Sequence, residues 1–145
     1  MLGITYGLCS TFKIDFMKPF ISTMFHSVLD YVGGILITAS PWLFGFYKVG
    51  GAALFIPLVF GALQMIMVIF TKHQGGLIKV FPLQLHLFLD MLVGFILIVA
   101  PFLYNFYPFV FLPHVLLGLL SLSAALFTHE SPFLEEMHLF DPRGL

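Results

Sequence analysis

Long apolar runs separated by short polar segments dominate the pattern of this chain. Because about 20 apolar residues in helical conformation cross a bilayer core of about 30 Å, each long run is a candidate transmembrane helix. Four runs are long enough, at about 25–46, 52–71, 83–104 and 108–128. The first and third runs carry one formal charge each, Asp30 and Asp90, and the other two carry none. The pattern predicts an all-α, polytopic membrane protein with four transmembrane helices.

The composition agrees with this prediction and excludes several classes of protein. Of the 145 residues, 60% are hydrophobic and 9% are charged, whereas soluble domains have about 25% charged residues. The net charge of −1 provides no basic surface for nucleic acid, and the single cysteine, Cys9, excludes an internal disulfide or a paired-cysteine redox site. The sequence has no nucleophile beside a base and no glycine-rich phosphate loop. We therefore predict no catalytic residues and favour a non-enzymatic role.

Basic residues between the apolar runs predict the orientation in the membrane. With four spans, the N-terminal segment 1–24, the loop 73–82 and the tail 129–145 lie on one side. That side holds five of the six Lys and Arg residues, counting Lys72 at the edge of the loop, and Lys48 alone lies on the other. Positive charge favours the cytoplasmic side. We expect a protein of the cytoplasmic membrane with both termini in the cytoplasm.

The chain also contains a repeat of about sixty residues. His26 and Asp30 align with His86 and Asp90 at an offset of 60. The alignment extends through further identical pairs, Gly34 with Gly94, Pro41 with Pro101, Phe46 with Phe106 and Tyr47 with Tyr107, and through Gly61 with Gly118 at an offset of 57. The prediction is two tandem two-helix hairpins, 25–72 and 83–128. Since each copy has an even number of spans, the copies are parallel and related by a pseudo-two-fold axis along the membrane normal.

The tripeptide Ser40-Pro41-Trp42 in the first hairpin resembles the motif that gives the SPW-repeat membrane proteins of bacteria and archaea their name. The resemblance covers about 25–128 and implies a repeating unit of two transmembrane helices. The second copy keeps only the proline, Pro101. The family has no established biochemical activity, so the resemblance implies a fold and no catalytic residues.

The two His–Asp pairs are the candidate functional residues. Each Asp follows its His by four residues, so both side chains lie on one helix face, and each Asp lies about 10 Å from the predicted cytoplasmic end of its helix. An ionisable group at that depth is costly and points to a function. Four interpretations remain open: a hydrogen-bonded structural lock, which we favour, a proton or ion pathway, a metal site of two His and two Asp, and a haem held by His26 and His86. All four require the first and third helices to lie close together, and we assign no metal or cofactor.

Proline, serine and aromatic residues late in each hairpin's first helix have predicted structural roles. Pro41 and Pro101 each free a carbonyl four residues earlier, and Ser40 is able to bond back to its own helix, which Ala100 cannot do. We interpret the prolines as structural kinks. The aromatic residues Trp42, Phe44, Phe46 and Tyr47 are expected in an outer interfacial belt.

Small and polar residues inside the spans are predicted to join the helices. Glycine permits close helix approach in bilayers, and Gly34, Gly61, Gly94 and Gly118 are the candidate contacts. Gln64 and Ser121 are expected to hydrogen-bond across the bundle. His114 has no counterpart in the first copy and is expected to be an ordinary interfacial histidine.

These observations favour a small integral membrane protein with a structural or accessory role. Its expected partners are the lipid bilayer and either larger membrane subunits or further copies of itself, and not nucleic acid. The alternative is a small proton- or ion-coupled transporter or channel that uses Asp30 and Asp90. A metal- or haem-binding membrane protein is less favoured.

Overall fold

The computed structural model describes residues 19–129, and the predictions made for 1–18 and 130–145 lie outside these residues. The described chain forms four α-helices: α1, Thr23–Leu43; α2, Gly51–Phe70; α3, Leu83–Leu103; and α4, Leu112–Phe127. Within residues 19–129, extended pairing is limited to two isolated bridges. The prediction of an all-α protein with four helices is confirmed. Two of the helices, α2 and α3, are long and apolar enough to cross a membrane.

Local hydrogen bonds explain where the helices begin and end. The hydroxyl of Ser22 accepts a hydrogen bond from the N–H of Phe25 at 3.2 Å and caps the start of α1. Helix α4 begins about four residues later than the sequence pattern suggests. The reason is a turn in which the N–H groups of Phe109 and Val110 both donate to the carbonyl of Phe106, at 3.0 and 3.1 Å. Residues 108–111, which the apolar pattern assigned to the fourth helix, therefore belong to the connection that precedes α4.

The four helices pack as a closed ring. Helix α1 packs along α2 and α3 packs along α4, while α2 with α3 and α1 with α4 complete the ring. The predicted glycine contacts occur in the two closest pairs, because Gly34 faces Gly61 and Gly94 faces Gly118. A Cβ atom on Gly94 would lie 2.7 Å from the carbonyl oxygen of Gly118. Helices α1 and α3 consequently lie diagonally opposite each other across the bundle.

The two bridges join the chain segments at one end of the bundle. Ile21 pairs with Thr128, and Thr71 pairs with Phe81, both in parallel orientation. Ile21 and Phe81 are 60 residues apart and Thr71 and Thr128 are 57 apart, which are the two offsets of the sequence repeat. The segments 19–22, 71–82 and 128–129 therefore lie together at one end, and the loop that contains Lys48 lies at the other.

Polar and apolar side chains are distributed in the opposite way from a water-soluble bundle. The buried residues include four that carry ionisable groups at the centre, together with Gln64 and Ser121. Large apolar side chains are more than half exposed on every helix, for example Ile35, Phe55, Phe95 and Leu116. Soluble proteins rarely expose contiguous apolar surface on this scale.

Candidate functional site

His26 and Asp30 of α1 meet His86 and Asp90 of α3 between the four helices, near the end of the bundle where α1 and α3 begin. Each of the four is at most 1% exposed. The spacing of four residues places each pair on one helix face, and the diagonal placement of α1 and α3 turns those two faces towards each other. The structure thus brings together all four candidate residues, which we call the His–Asp quartet.

One oxygen of each carboxylate contacts both imidazoles. The Nε2 atom of His26 lies 3.1 Å from Asp30 Oδ2 and 3.2 Å from Asp90 Oδ2. The Nε2 atom of His86 lies 2.8 Å from Asp30 Oδ2 and 3.0 Å from Asp90 Oδ2. The two rings are nearly perpendicular, with their centroids 5.5 Å apart. Two nitrogen atoms and two oxygen atoms therefore converge on one point.

The hydroxyl of Thr128 determines where His26 carries a proton. Thr128 Oγ1 donates its hydrogen to the carbonyl of Ala124 at 2.6 Å and lies 2.9 Å from His26 Nδ1. Because a hydroxyl has one hydrogen, Thr128 accepts the second bond from the Nδ1–H of His26. The Nε2 atom of the same ring is thereby directed at the carboxylates.

Helices α2 and α4 supply further polar contacts to the quartet. Gln64 of α2 donates its Nε2 hydrogen to Asp30 Oδ1 at 3.4 Å, and Ser121 of α4 donates to the main-chain carbonyl of Asp90 at 3.0 Å. Both are the cross-bundle hydrogen bonds expected from the sequence. The cavity beside Asp30 has a volume of about 10 Å³, close to the space that one water molecule needs. A porphyrin does not fit there, so this geometry does not support the haem interpretation.

His73, in the loop between α2 and α3, covers the quartet from the end of the bundle. Its ring lies 5.7 Å from that of His86, and its Nδ1 atom accepts the N–H of Gly75 at 3.0 Å. Burial, and then the proximity of His86 and His26, lowers the pKa of His73 to about 4. His73 is therefore neutral at pH 7 and adds no charge above the quartet. Sequence reasoning missed this residue, because a single loop histidine has no partner at helical spacing.

The side chain of Ser40 restores the hydrogen bond that the following proline removes. Ser40 Oγ donates to the carbonyl of Ile37 at 2.7 Å, and this carbonyl is the one left free by Pro41. Pro41 and Pro101 are buried in the last turn of α1 and α3, where their carbonyls accept the N–H groups of Tyr47 and Tyr107 at 2.9 and 3.0 Å. The serine of the tripeptide therefore supplies the hydrogen bond that the helix lacks, and the carbonyl of the proline stabilises the turn that follows.

Replacing Ser40 with alanine is expected to lower the free energy of unfolding by about 1–2 kcal/mol, because the Ile37 carbonyl loses its buried partner. Ser123 offers a matched control, since its hydroxyl makes the same type of bond, to the carbonyl of Leu120 at 3.0 Å, at a partly buried position. Thermal unfolding of both variants in detergent measures the difference. Equal losses of unfolding free energy for S40A and S123A would show that the hydrogen bond to the Ile37 carbonyl contributes no more than an ordinary bond of this type.

The aromatic belt and His114 differ from expectation. Trp42, Phe44 and Tyr47 are exposed as expected, but Phe46 is buried and lies 5.1 Å from the ring of His114. The prediction for Phe46 is wrong, because this side chain packs with Phe106 around the histidine. His114 is buried as well, and its Nε2 donates to the carbonyl of Ala53 at 3.2 Å, so it is a packed side chain and not the ordinary interfacial histidine expected.

A family model described as the SPW repeat domain matches residues 24–128, which include both hairpins and the whole quartet. The chain belongs to the SPW repeat family. Comparisons with curated proteins and with solved structures found no match. Family membership and the two helices of spanning length together indicate that this SPW protein is a membrane protein.

Proposed function

We propose that this SPW protein is a four-span protein of the cytoplasmic membrane with a structural or accessory role. In this proposal its two hairpins are parallel repeats related by a pseudo-two-fold axis, and the His–Asp quartet joins them at the centre. The protein then acts by packing, either against a larger membrane complex or against further copies of itself.

The observation that carries the proposal is the inverted distribution of side chains. The four ionisable side chains of the quartet are buried against one another, and large apolar side chains form much of the exposed surface of all four helices. An apolar surface of this extent is stable in contact with lipid or with another apolar protein surface, and not with water. Lipid and membrane subunits are therefore the partners that suit the surface of this bundle.

The position of the loops supports the proposed orientation. The segments that lead into α1 and out of α4 lie at the same end of the bundle as Lys72 and Lys79, and Lys48 lies at the opposite end. By the positive-inside rule, the end with the two lysines is cytoplasmic. The quartet then lies near the cytoplasmic surface, beneath the loop that contains His73.

The closed quartet favours an accessory role over transport. Its polar atoms contact one another, and the adjoining cavity of about 10 Å³ is lined by Asp30, Gln64, Ser121 and otherwise apolar residues of the bundle. A transport site needs room for its substrate and for the substrate's release. A site with space for about one water suits a lock between helices better than a binding site for a transported solute.

Native mass spectrometry of the protein, extracted from its own membranes in a mild detergent, tests the proposal. We expect the 16.3 kDa chain in a stoichiometric assembly with a second membrane protein or with itself. An unrelated four-span protein extracted in the same way controls for lipid and detergent carry-over. A monomer that carries only lipid contradicts the proposal.

Reconstitution in liposomes separates the accessory role from the rival ion pathway. We expect the wild-type protein to leave the decay of an imposed pH gradient unchanged relative to empty vesicles. A faster decay that is lost when Asp30 and Asp90 are both replaced by asparagine would contradict the accessory role and favour proton transport through the carboxylates.

A further inference from the structure

We propose that the His–Asp quartet binds one divalent transition-metal ion, for which Zn²⁺ is the probe. The ligands are the Nε2 atoms of His26 and His86 and the Oδ2 atoms of Asp30 and Asp90. The ion fastens the first hairpin to the second. This inference does not depend on which partner the protein packs against.

The quartet has four nitrogen–oxygen contacts, but its two Nε2 atoms supply at most two hydrogen atoms to form hydrogen bonds across them. There are four Nε2···Oδ2 contacts between 2.8 and 3.2 Å. Each Nε2 carries at most one hydrogen, and a hydrogen bond is strong when that hydrogen points at one acceptor. Two hydrogens therefore serve two contacts well and leave two carboxylate–nitrogen approaches poorly satisfied. One cation at the centre accepts a lone pair from all four atoms at once.

The four nitrogen–oxygen distances among these atoms are close to those of a metal site. With bonds of about 2.0–2.1 Å, tetrahedral ligands around zinc lie about 3.3–3.4 Å apart. The four ligand atoms already lie within 4.8 Å of one another, and their nitrogen–oxygen contacts are shorter than the zinc value by a few tenths of an ångström at most sites. A small outward shift of the side chains makes room for the ion.

The charges of the donor set match a divalent cation. Two carboxylates contribute −2, two neutral imidazoles contribute nothing, and a divalent ion makes the site neutral. Neutrality matters because an uncompensated charge in a buried site is costly. Without a metal, the same neutrality requires two additional protons on the quartet, so each bound ion displaces about two protons to solvent.

The surrounding contacts orient two of the four ligands, His26 and Asp30, in the way that metal sites require. A ligating histidine ordinarily donates its other ring N–H to an oxygen, which directs the remaining lone pair at the metal. His26 does so through Thr128, whereas the Nδ1 atom of His86 is buried without a hydrogen-bond partner among residues 19–129. Gln64 donates to the second oxygen of Asp30. The oxygen atom of the Gln64 amide is buried without a hydrogen-bond partner among residues 19–129. The bond to Asp30 is therefore made by the amide N–H group alone.

The ligand types favour a first-row transition metal over calcium or magnesium. Imidazole suits zinc, iron, nickel and copper, whereas calcium and magnesium require six or more oxygen ligands. Four protein ligands in a fully buried site are typical of structural zinc. The site is formed by side chains from both hairpins, so the bound ion is expected to stabilise their association.

Zinc titration of the full-length chain tests the proposal. The protein is produced with an affinity tag that contains no histidine, extracted in mild detergent and treated with a chelator that is then removed. We expect uptake of about one zinc ion per chain at micromolar zinc, release of about two protons, and a rise in unfolding temperature on the order of 10 °C. X-ray absorption at the zinc edge is expected to show about four nitrogen and oxygen ligands at about 2.0 Å and no sulfur.

Two variants and one control assign the binding to the quartet. We expect His26→Gln combined with His86→Gln, and separately Asp30→Asn combined with Asp90→Asn, to weaken zinc affinity by about 100-fold or more. His114→Asn is the control, because it removes a buried histidine outside the quartet and is expected to bind zinc as the wild type does. Failure of the wild-type chain to take up one equivalent, or retention of full affinity by either folded double variant, overturns the proposal. If both double variants fail to fold, the absorption spectrum of the wild-type protein decides, since sulfur ligands or the lack of two imidazoles would also overturn it.

Discussion

Replacing Asp90 with alanine is expected to lower the free energy of unfolding by about 3–5 kcal/mol. Asp90 contacts both imidazoles within 3.2 Å, and the site is closed to solvent. Removing one carboxylate leaves two imidazoles facing one acceptor, and buried polar groups without partners are costly. Thermal unfolding in detergent, followed by circular dichroism, measures the loss.

A quadruple variant separates the cost of unpaired polar groups from the cost of altered side-chain packing. Leucine at all four positions removes every charge together, so no unpaired group remains in the core. Replacement of a whole buried ion cluster by apolar residues is often neutral or stabilising by about 1–4 kcal/mol. We therefore expect the quadruple variant to unfold at a higher temperature than D90A. A D90A variant within about 1 kcal/mol of the wild type would show that the quartet does not hold the bundle together.

The quartet shows how far sequence reasoning reaches when a pattern is repeated. The spacing of four residues places His26 beside Asp30, and the repeat places the same pair on α3. An even number of helices per hairpin predicts that α1 and α3 run parallel, with both pairs at the same level of the bundle. The sequence did not predict that one oxygen of each carboxylate contacts both imidazoles, because this depends on the diagonal packing of α1 and α3.

The residues that the sequence did not reveal contact the quartet from distant positions in the chain. Thr128 bonds to a histidine 102 positions away, and His73 covers the quartet from a loop. Neither contact follows from helical periodicity. The position of His114 did have a signal in the sequence, since Phe46 and Phe106 are equivalent in the repeat and both pack on its ring. Treating the repeated phenylalanines as a buried pair would have indicated that something lies between them.

Replacing Gly94 with alanine is expected to cost about 2–3 kcal/mol, although alanine is the better helix former. A Cβ atom at this position would lie 2.7 Å from both the carbonyl oxygen of Gly118 and the N atom of Leu122. Both are backbone atoms of α4, so no side-chain rotation relieves the clash and the two helices must separate. We expect a lower unfolding temperature in detergent, with retained helix content in circular dichroism.

Gly33 provides the matched control for this effect. The nearest atom to a Cβ atom at Gly33 is the amide nitrogen of Gln64 at 3.9 Å, an ordinary van der Waals distance. The second hairpin already has a branched side chain at the equivalent position, Val93. Gly33→Ala is therefore expected to leave the unfolding temperature unchanged or to raise it. If G33A and G94A lose the same stability, the cost comes from glycine's place in the helix and not from contact between α3 and α4. A loss confined to G94A assigns it to the close approach of the α3 and α4 backbones.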